Sequence, residues 1–120
     1  MIKSELTEKI IGCAFEVINT LGAGFLEKVY ENAMMKEFKL KGISAEQQKP
    51  IKVFYKGEVV GDYIADILVE NEVIIELKVV KNFNEIHLAQ CINYLKSTGK
   101  KICLLINFGK NKLEFKRIVF

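Results

Sequence analysis

The chain holds one proline in 120 residues and has no internal repeat, low-complexity segment or linker-like tract. Half of its residues are hydrophobic, so a disordered chain is excluded and one domain with an ordinary core is expected. Cysteine is scarce as well. Cys13, Cys91 and Cys103 are odd in number, widely spaced and without a CxxC pair, which argues against a disulfide framework or a zinc cage. Three buried free thiols in a reducing compartment are the expectation. Long apolar runs are missing too: Ile102-Cys-Leu-Leu-Ile106 is far too short to span a bilayer. The N-terminus (Met-Ile-Lys-Ser-Glu) passes straight into an amphipathic stretch and reads as no signal peptide. A soluble, cytoplasmic protein without a membrane partner is expected. The net charge of +3 is mild; it permits an anionic partner such as nucleic acid without arguing for one.

What is present reads as alternating helical and strand-like stretches. Ser4 can cap a first helix, with Glu5 and Glu8 at its positive end and Leu6, Ile10, Ala14, Val17, Ile18 and Leu21 as one apolar stripe. Leu21-Gly22-Ala23-Gly24 should stop that helix; it lacks the surrounding pattern of a phosphate-binding loop and reads as a C-cap. A second helix is expected from Phe25 to Leu40, ending at Gly42, with Leu26, Tyr30, Ala33 and Phe38 as its core stripe. Glu27, Glu31 and Met34 lie on a neighbouring stripe. Ile43 to Gln48 and Ile51 to Tyr55 are strand-like on either side of Pro50, which marks a bend, bulge or edge. Lys56-Gly57 is a turn, and Gly61-Asp62 breaks or kinks the next strand. Asn84 can cap a third helix closed by Gly99. Its apolar periodicity is imperfect, while His87, Gln90 and Tyr94 form a polar line along it. Lys101 to Phe108 reads as a central buried strand, Gly109-Lys-Asn111 as a turn, and Leu113 to Val119 as a last strand. Lysines 96, 100, 101, 110, 112 and 116 are either a basic rim near one sheet end or solvated loop ends, and the second is favoured. The order αα-βββ-α-ββ implies an α/β or α+β sandwich, with helices against a mixed sheet.

The chemistry concentrates in residues 62 to 79. Tyr63–Val69 and Val73–Val79 flank the polar break Glu70-Asn71-Glu72, a hairpin signal. If the hairpin is symmetric about Asn71, Val69 faces Val73, Ile67 faces Ile75 and Asp66 faces Glu76, with Cβ atoms about 5 Å apart. Lys78, two residues beyond Glu76, shares that face. Opposed carboxylates destabilise a sheet, so a cation is needed: either Lys78 or a bound divalent metal. The plainer reading is a wet face paired with nearby lysines. A one-residue slip would separate the carboxylates, so the inference depends on the turn.

Gly24-Phe-Leu-Glu27-Lys-Val-Tyr30 resembles the signature of the GxxExxY family. Asp66, Glu76-Leu-Lys78, His87-Leu-Ala-Gln90 and Asn93-Tyr94-Leu95 are similar to that family's later blocks, so the resemblance covers essentially the whole chain. The family is grouped with the PD-(D/E)xK nuclease-like superfamily, although Ala65 stands where the superfamily's name has Pro. The resemblance implies a restriction-endonuclease-like mixed sheet flanked by helices. It implies Asp66 and Glu76 as metal-binding carboxylates, Glu27 as a third, and Lys78 as the catalytic lysine. Gln90 joins the catalytic set, with Tyr30, His87 and Tyr94 flanking the site. Mg²⁺ or Mn²⁺ would suit the hard oxygen ligands. The activity implied is metal-dependent phosphodiester hydrolysis in nucleic acid, DNA ahead of RNA, with a homodimer as an open expectation. The alternatives are a non-catalytic nucleic-acid- or protein-binding module that keeps the fold, and a purely structural carboxylate–lysine cluster.

Overall fold

A computed structural model describes residues 3–120, with side chains from Glu5 onward. The elements are α1 (Lys3–Leu21), α2 (Glu27–Leu40), β1 (Ala45–Tyr55), β2 (Glu58–Val69), β3 (Val73–Lys78), α3 (Glu85–Thr98), β4 (Ile102–Asn107) and β5 (Glu114–Val119). The order is the expected αα-βββ-α-ββ, and the strands form one mixed sheet in the sequence β1-β2-β3-β4-β5. Neighbours are antiparallel except β3 and β4, which run parallel and are joined by α3 as a crossover. The cap expected at Ser4 lies outside the described side chains.

The helices cover the sheet from both faces. On one face α1 sets down Leu6, Ile10, Ala14, Val17 and Ile18, its expected stripe, together with Cys13. Ile67, Val69, Ile75, Leu77 and Ile106 come up from the strands to meet them. On the other face α3 packs Cys91, Tyr94 and Leu95 against Leu68, Ile74, Cys103 and Leu105. The alternation along β3 and β4 thus supplies both layers, and every residue of β4 is buried. All three cysteines are buried and unpaired.

Four local expectations change. Helix α2 starts at Glu27, with Leu26 as an extended N-cap (φ −73°, ψ 156°), so Leu26 falls outside the helical stripe and is 80% exposed. The buried face of α2 is Tyr30, Glu31, Met34 and Phe38, which takes in the stripe neighbouring the expected one. The two strand-like stretches on either side of Pro50 join into one strand, β1, from Ala45 to Tyr55, and Pro50 takes the edge position among its expected settings, where a missing N–H is tolerated. In α3 the buried residues are Cys91, Tyr94 and Leu95, whereas Ile86 is 75% exposed.

The lysines expected as a rim or as loop ends divide between the two ends of β4. Lys100 and Lys101 precede its start, where Ile102 pairs with Val73, and Lys110 and Lys112 follow its end, where Asn107 pairs with Lys78.

The end of β4 is tied to the segment after β3 by a side chain acting as backbone. Asn107 is fully buried; its Oδ1 accepts from the N–H of Val80 (3.0 Å) and of Gly109 (2.9 Å), and its Nδ2 donates to Val80 O (2.8 Å). Phe108 N donates to Lys78 O at 2.9 Å, which extends the β3–β4 pairing by one bond. Gly109 passes so close that a Cβ there would stand 2.4 Å from Val80 N. Gly109→Ala is therefore expected to cost about 1–3 kcal/mol, read as a lower denaturation midpoint. Gly12→Ala, in mid-helix with nothing within 4 Å of the new Cβ, should be neutral or stabilising. Equal midpoints for the two variants would refute this account of the junction.

Candidate active site

The hairpin between β2 and β3 has the register read from the sequence: Val69 pairs with Val73, Leu68 with Ile74 and Ile67 with Ile75. A turn with Glu70 and Asn71 at φ 51° and 56° closes it, and Glu72 N donates to Val69 O at 2.9 Å. The ladder then ends. Asp66 does not continue as a strand pair with Glu76; its Oδ2 instead accepts the Leu77 N–H at 2.7 Å. A side-chain oxygen stands in for the strand carbonyl that the amide would otherwise lack.

The cause lies in β1 and β2 together. Ala65 packs on the α3 face of the sheet and Ile67 on the α1–α2 face, although strict alternation would put them on the same side. Opposite Asp66, Gln48 adopts φ 54°, and the ladder skips from Gln47–Ile67 to Lys49–Ala65. The strand pair changes face at this point, and β2 parts from β3. A left-handed φ at a residue other than glycine costs roughly 1–2 kcal/mol. A hydrogen bond made by the Gln48 side chain offsets part of it.

That bond goes to Glu31. This carboxylate, 2% exposed, accepts from Gln48 Nε2 (2.8 Å), from Gln47 Nε2 and from Lys28 Nζ (2.8 Å). Glu31 was not among the expected site residues; its place one helical turn beyond Glu27, next to buried Met34, is the signal that pointed to it. Glu27 stands at the first turn of α2 on the exposed side, close enough to Lys78 and Asp66 to feel and exert charge. Desolvation raises its pKa, the Lys78 ammonium opposes the rise, and Glu31 adds to it.

Tyr30 explains the spacing of the Gly24–Glu27–Tyr30 motif structurally. Its hydroxyl donates to Gly22 O (2.6 Å) and accepts from Phe25 N (3.2 Å), and its ring stacks on Phe108 at 4.6 Å. It locks the α1–α2 loop from below, and its hydroxyl is not directed to Asp66 or Glu76. Gly24, at φ 113°, makes the turn that side-chain-bearing residues rarely adopt. Glu27 follows at once.

Glu76 and Lys78 lie at the end of β3. Glu76 is 3% exposed; Lys78 Nζ bonds its Oε2 at 3.1 Å, while its Oε1 is buried without a hydrogen-bond partner among the described residues. Burial first, and then the Asp66 charge, push the Glu76 carboxyl up to about 8. The salt bridge opposes that shift without cancelling it, because it reaches one oxygen only. Burial also raises Asp66 to about 6, against the lowering effect of the Leu77 N–H bond. Near neutral pH the two carboxyls resist carrying two charges at once.

From the other face, α3 brings His87, Gln90 and Tyr94 to an open concavity of about 530 Å³ that also includes Lys78 and Tyr63. Gln90 Nε2 donates to Tyr94 Oη (2.9 Å), which donates to Ile64 O (3.1 Å). Burial raises the Tyr94 pKa, so the phenol stays protonated. His87 closes a capping box: its Nδ1 accepts from Asn84 N at 3.2 Å, which leaves Nε2 to carry the proton. Desolvation and then the Lys78 charge lower its pKa.

Among the described residues no three His, Cys, Asp or Glu side chains converge into a ready-made cage. Asp66 and Glu76 form a pair, with Glu27 outside it. Two hard carboxylates, one with an unpartnered buried oxygen, nonetheless suit Mg²⁺ or Mn²⁺, which keep several waters and take few protein ligands.

Without metal, both carboxyls have folded-state pKa values above their usual values near 4. The folded chain therefore binds protons more tightly than the unfolded one, and stability falls as pH rises from about 4 through 6 and 8. Thermal melts without divalent ions should show the wild type losing stability between pH 5 and 8.5. Glu76→Gln should lose less and be more stable at pH 8.5, on the order of 1 kcal/mol. Parallel pH curves for the two proteins would refute the assignment.

Comparison with known proteins agrees with this architecture. The crystal structure of SSO0001 superimposes with a TM-score of 0.60 at 18% identity, covering 98% of this chain and 59% of that one, a likeness of fold. The chain thus spans about three-fifths of that protein's length. Curated proteins yield no match. A family model for the PD-(D/E)XK nuclease superfamily matches residues 4–118. On that match, which takes in both helix layers and all five strands, the chain belongs to the PD-(D/E)XK nuclease superfamily.

Proposed function

We propose that this protein is a divalent-metal-dependent nuclease acting on nucleic acid, DNA ahead of RNA, and working in the cytoplasm. The observation that carries the reading is the group at the β2–β3 parting: Asp66 held by the Leu77 amide, Glu76 with a free buried oxygen, and Lys78 3.1 Å from its other oxygen. The Gly24–Glu27–Tyr30 loop supports the finer assignment to the GxxExxY group: Tyr30 locks the loop, and Glu27 follows it within electrostatic reach of Asp66 and Lys78.

Asp66 and Glu76 would hold Mg²⁺ or Mn²⁺, with Glu27 reaching the same shell from α2. When bound, the ion would supply a nucleophilic water near neutral pH and polarise the phosphate. Asp66 is held in place by the hydrogen bond its Oδ2 accepts from the Leu77 N–H. Lys78 has three N–H donors; one serves Glu76, and the others can orient the attacking water or neutralise charge on the phosphate oxygens. The Tyr94 hydroxyl holds Gln90 at the mouth, where its amide can bond a phosphate oxygen, and His87 offers its Nε2 proton beside it.

The non-catalytic binding module remains the second reading, favoured by one observation: no third carboxylate stands with Asp66 and Glu76 among the described residues. Metal affinity separates the two. Titration calorimetry with Mn²⁺ should give binding to the wild type that is lost in Asp66→Asn and weakened in Glu27→Gln. Metal-independent binding of nucleic acid with no Mn²⁺ affinity would favour the module. Lys78→Ala should keep the metal and lose about 10²- to 10³-fold in cleavage of DNA, measured in single turnover. Undiminished cleavage would overturn the role assigned to Lys78.

A further inference from the structure

The concavity at Lys78 does not stop at the active site. It shares Tyr63 and Asn93 with a second hollow of about 370 Å³, bounded by Val53 and Val60 on one side and Lys96 on the other. That hollow shares Ser97 with a third, of about 290 Å³, whose rim carries Lys49, Lys52 and Lys100. The three lie in line along α3, and Gln90 to Ser97 spans about 10 Å of helix. The opposite wall is the β1–β2 ribbon, which runs on past β3: only Ile67–Val69 of β2 pair with β3, while the β1–β2 ladder continues to Tyr55 and Glu58.

We infer that this trough between α3 and the β1–β2 ribbon carries a single nucleic-acid strand away from the active site, with Tyr63, Asn93 and Lys96 as its contacts. The inference rests on the nuclease reading and specifies its substrate as a single strand. Three features support it. The trough is continuous with Lys78, so a strand whose phosphate lies at the site is delivered into it. The charge is of the right sign: Lys96 has no carboxylate partner among the described residues, the Lys100 ammonium donates to Asn71 Oδ1 (3.3 Å), and Lys49 alone is closely ion-paired, to Glu46 at 2.9 Å. Lys52 is held by Asp62 at 3.9 Å, an exposed pair that a phosphate can replace. Tyr63 provides the aromatic surface: its ring stands edge-on to Tyr94, and Asn93 Nδ2 bonds its hydroxyl at 3.1 Å. An aromatic face on a basic track is how single strands are held without sequence readout.

The test is fluorescence anisotropy with a short labelled oligodeoxynucleotide, single-stranded or annealed to its complement, in EDTA over a salt series, with cleavage in Mn²⁺ measured alongside. Wild type should prefer the single strand. Tyr63→Ala should weaken that binding about tenfold, and Tyr63→Phe should restore it. Lys96→Ala should reduce the slope of log K against log salt by about 0.7, whereas Lys9→Ala on α1 should leave it unchanged. If wild type cleaves but Tyr63→Ala and Lys96→Ala bind and cleave like it, the track is refuted and the nuclease reading stands. If the variants weaken duplex and single strand alike, the single-strand assignment fails. If wild type neither binds nor cleaves, both readings fall.

Discussion

The hydrogen bond from the Leu77 amide to the Asp66 carboxylate sets the geometry of everything around it. On its other side β3 is fully engaged: it pairs with β4 along its whole length, and Phe108 N bonds Lys78 O beyond the last pair. On the β2 side the ladder ends after three pairs, and the next inward amide would be orphaned without Asp66. One strand is thus held firmly on one flank and opened on the other. The opening makes room for Glu76 and Lys78 to meet a carboxylate whose position is set by backbone rather than by rotamer choice. The Asn107 clasp on Val80 serves the same end, because it fixes the chain directly after Lys78.

Such an arrangement costs stability. Glu76 is buried with one oxygen unpaired, Asp66 is desolvated beside it, and Gln48 sits at a left-handed φ. Each term is of the order of one to a few kcal/mol. The aliphatic strands around them supply what offsets it. Apart from Glu76 and Lys78, β3 is Val, Ile, Ile and Leu, all buried, and β4 is buried at every position. The strained residue and the buried oxygen without a partner among the described residues are gathered at one point, and that concentration is what motivates the chemistry proposed there.

The elements and the hairpin register were legible in the sequence because they depend on local rules: side-chain alternation, glycine stops, the Asn84 cap and a turn centred on Asn71. What was not legible depended on distant partners. The face change at Gln48 and Asp66 requires a positive φ at a glutamine, which no local rule announces, and it is stabilised from α2 by Glu31. Strict alternation still placed Asp66 near Glu76, since the hairpin end of β2 keeps its register up to Ile67 and the face change comes only beyond it. Leu26 was misplaced because the helix starts two residues later than expected, which leaves that side chain out of the stripe. Pro50 was legible as a bend, bulge or edge position but not as which of the three, because that depends on strand order, which the local sequence does not reveal.

Helix α3 shows why an imperfect apolar pattern can carry meaning. Successive residues on a helix step by about 100°, so His87, Gln90, Asn93 or Tyr94, and Ser97 follow one slowly drifting line. Leu88, Cys91 and Leu95 follow the adjacent line into the core. Tyr94 belongs to both: its ring is buried against the sheet and its hydroxyl is turned to Gln90 and Ile64. A helix that only sealed the sheet would have one apolar stripe and a solvated back. This one must cover Ile74 and Leu105 while presenting a polar edge beside Lys78. The narrowness of its apolar stripe is the consequence of serving both surfaces.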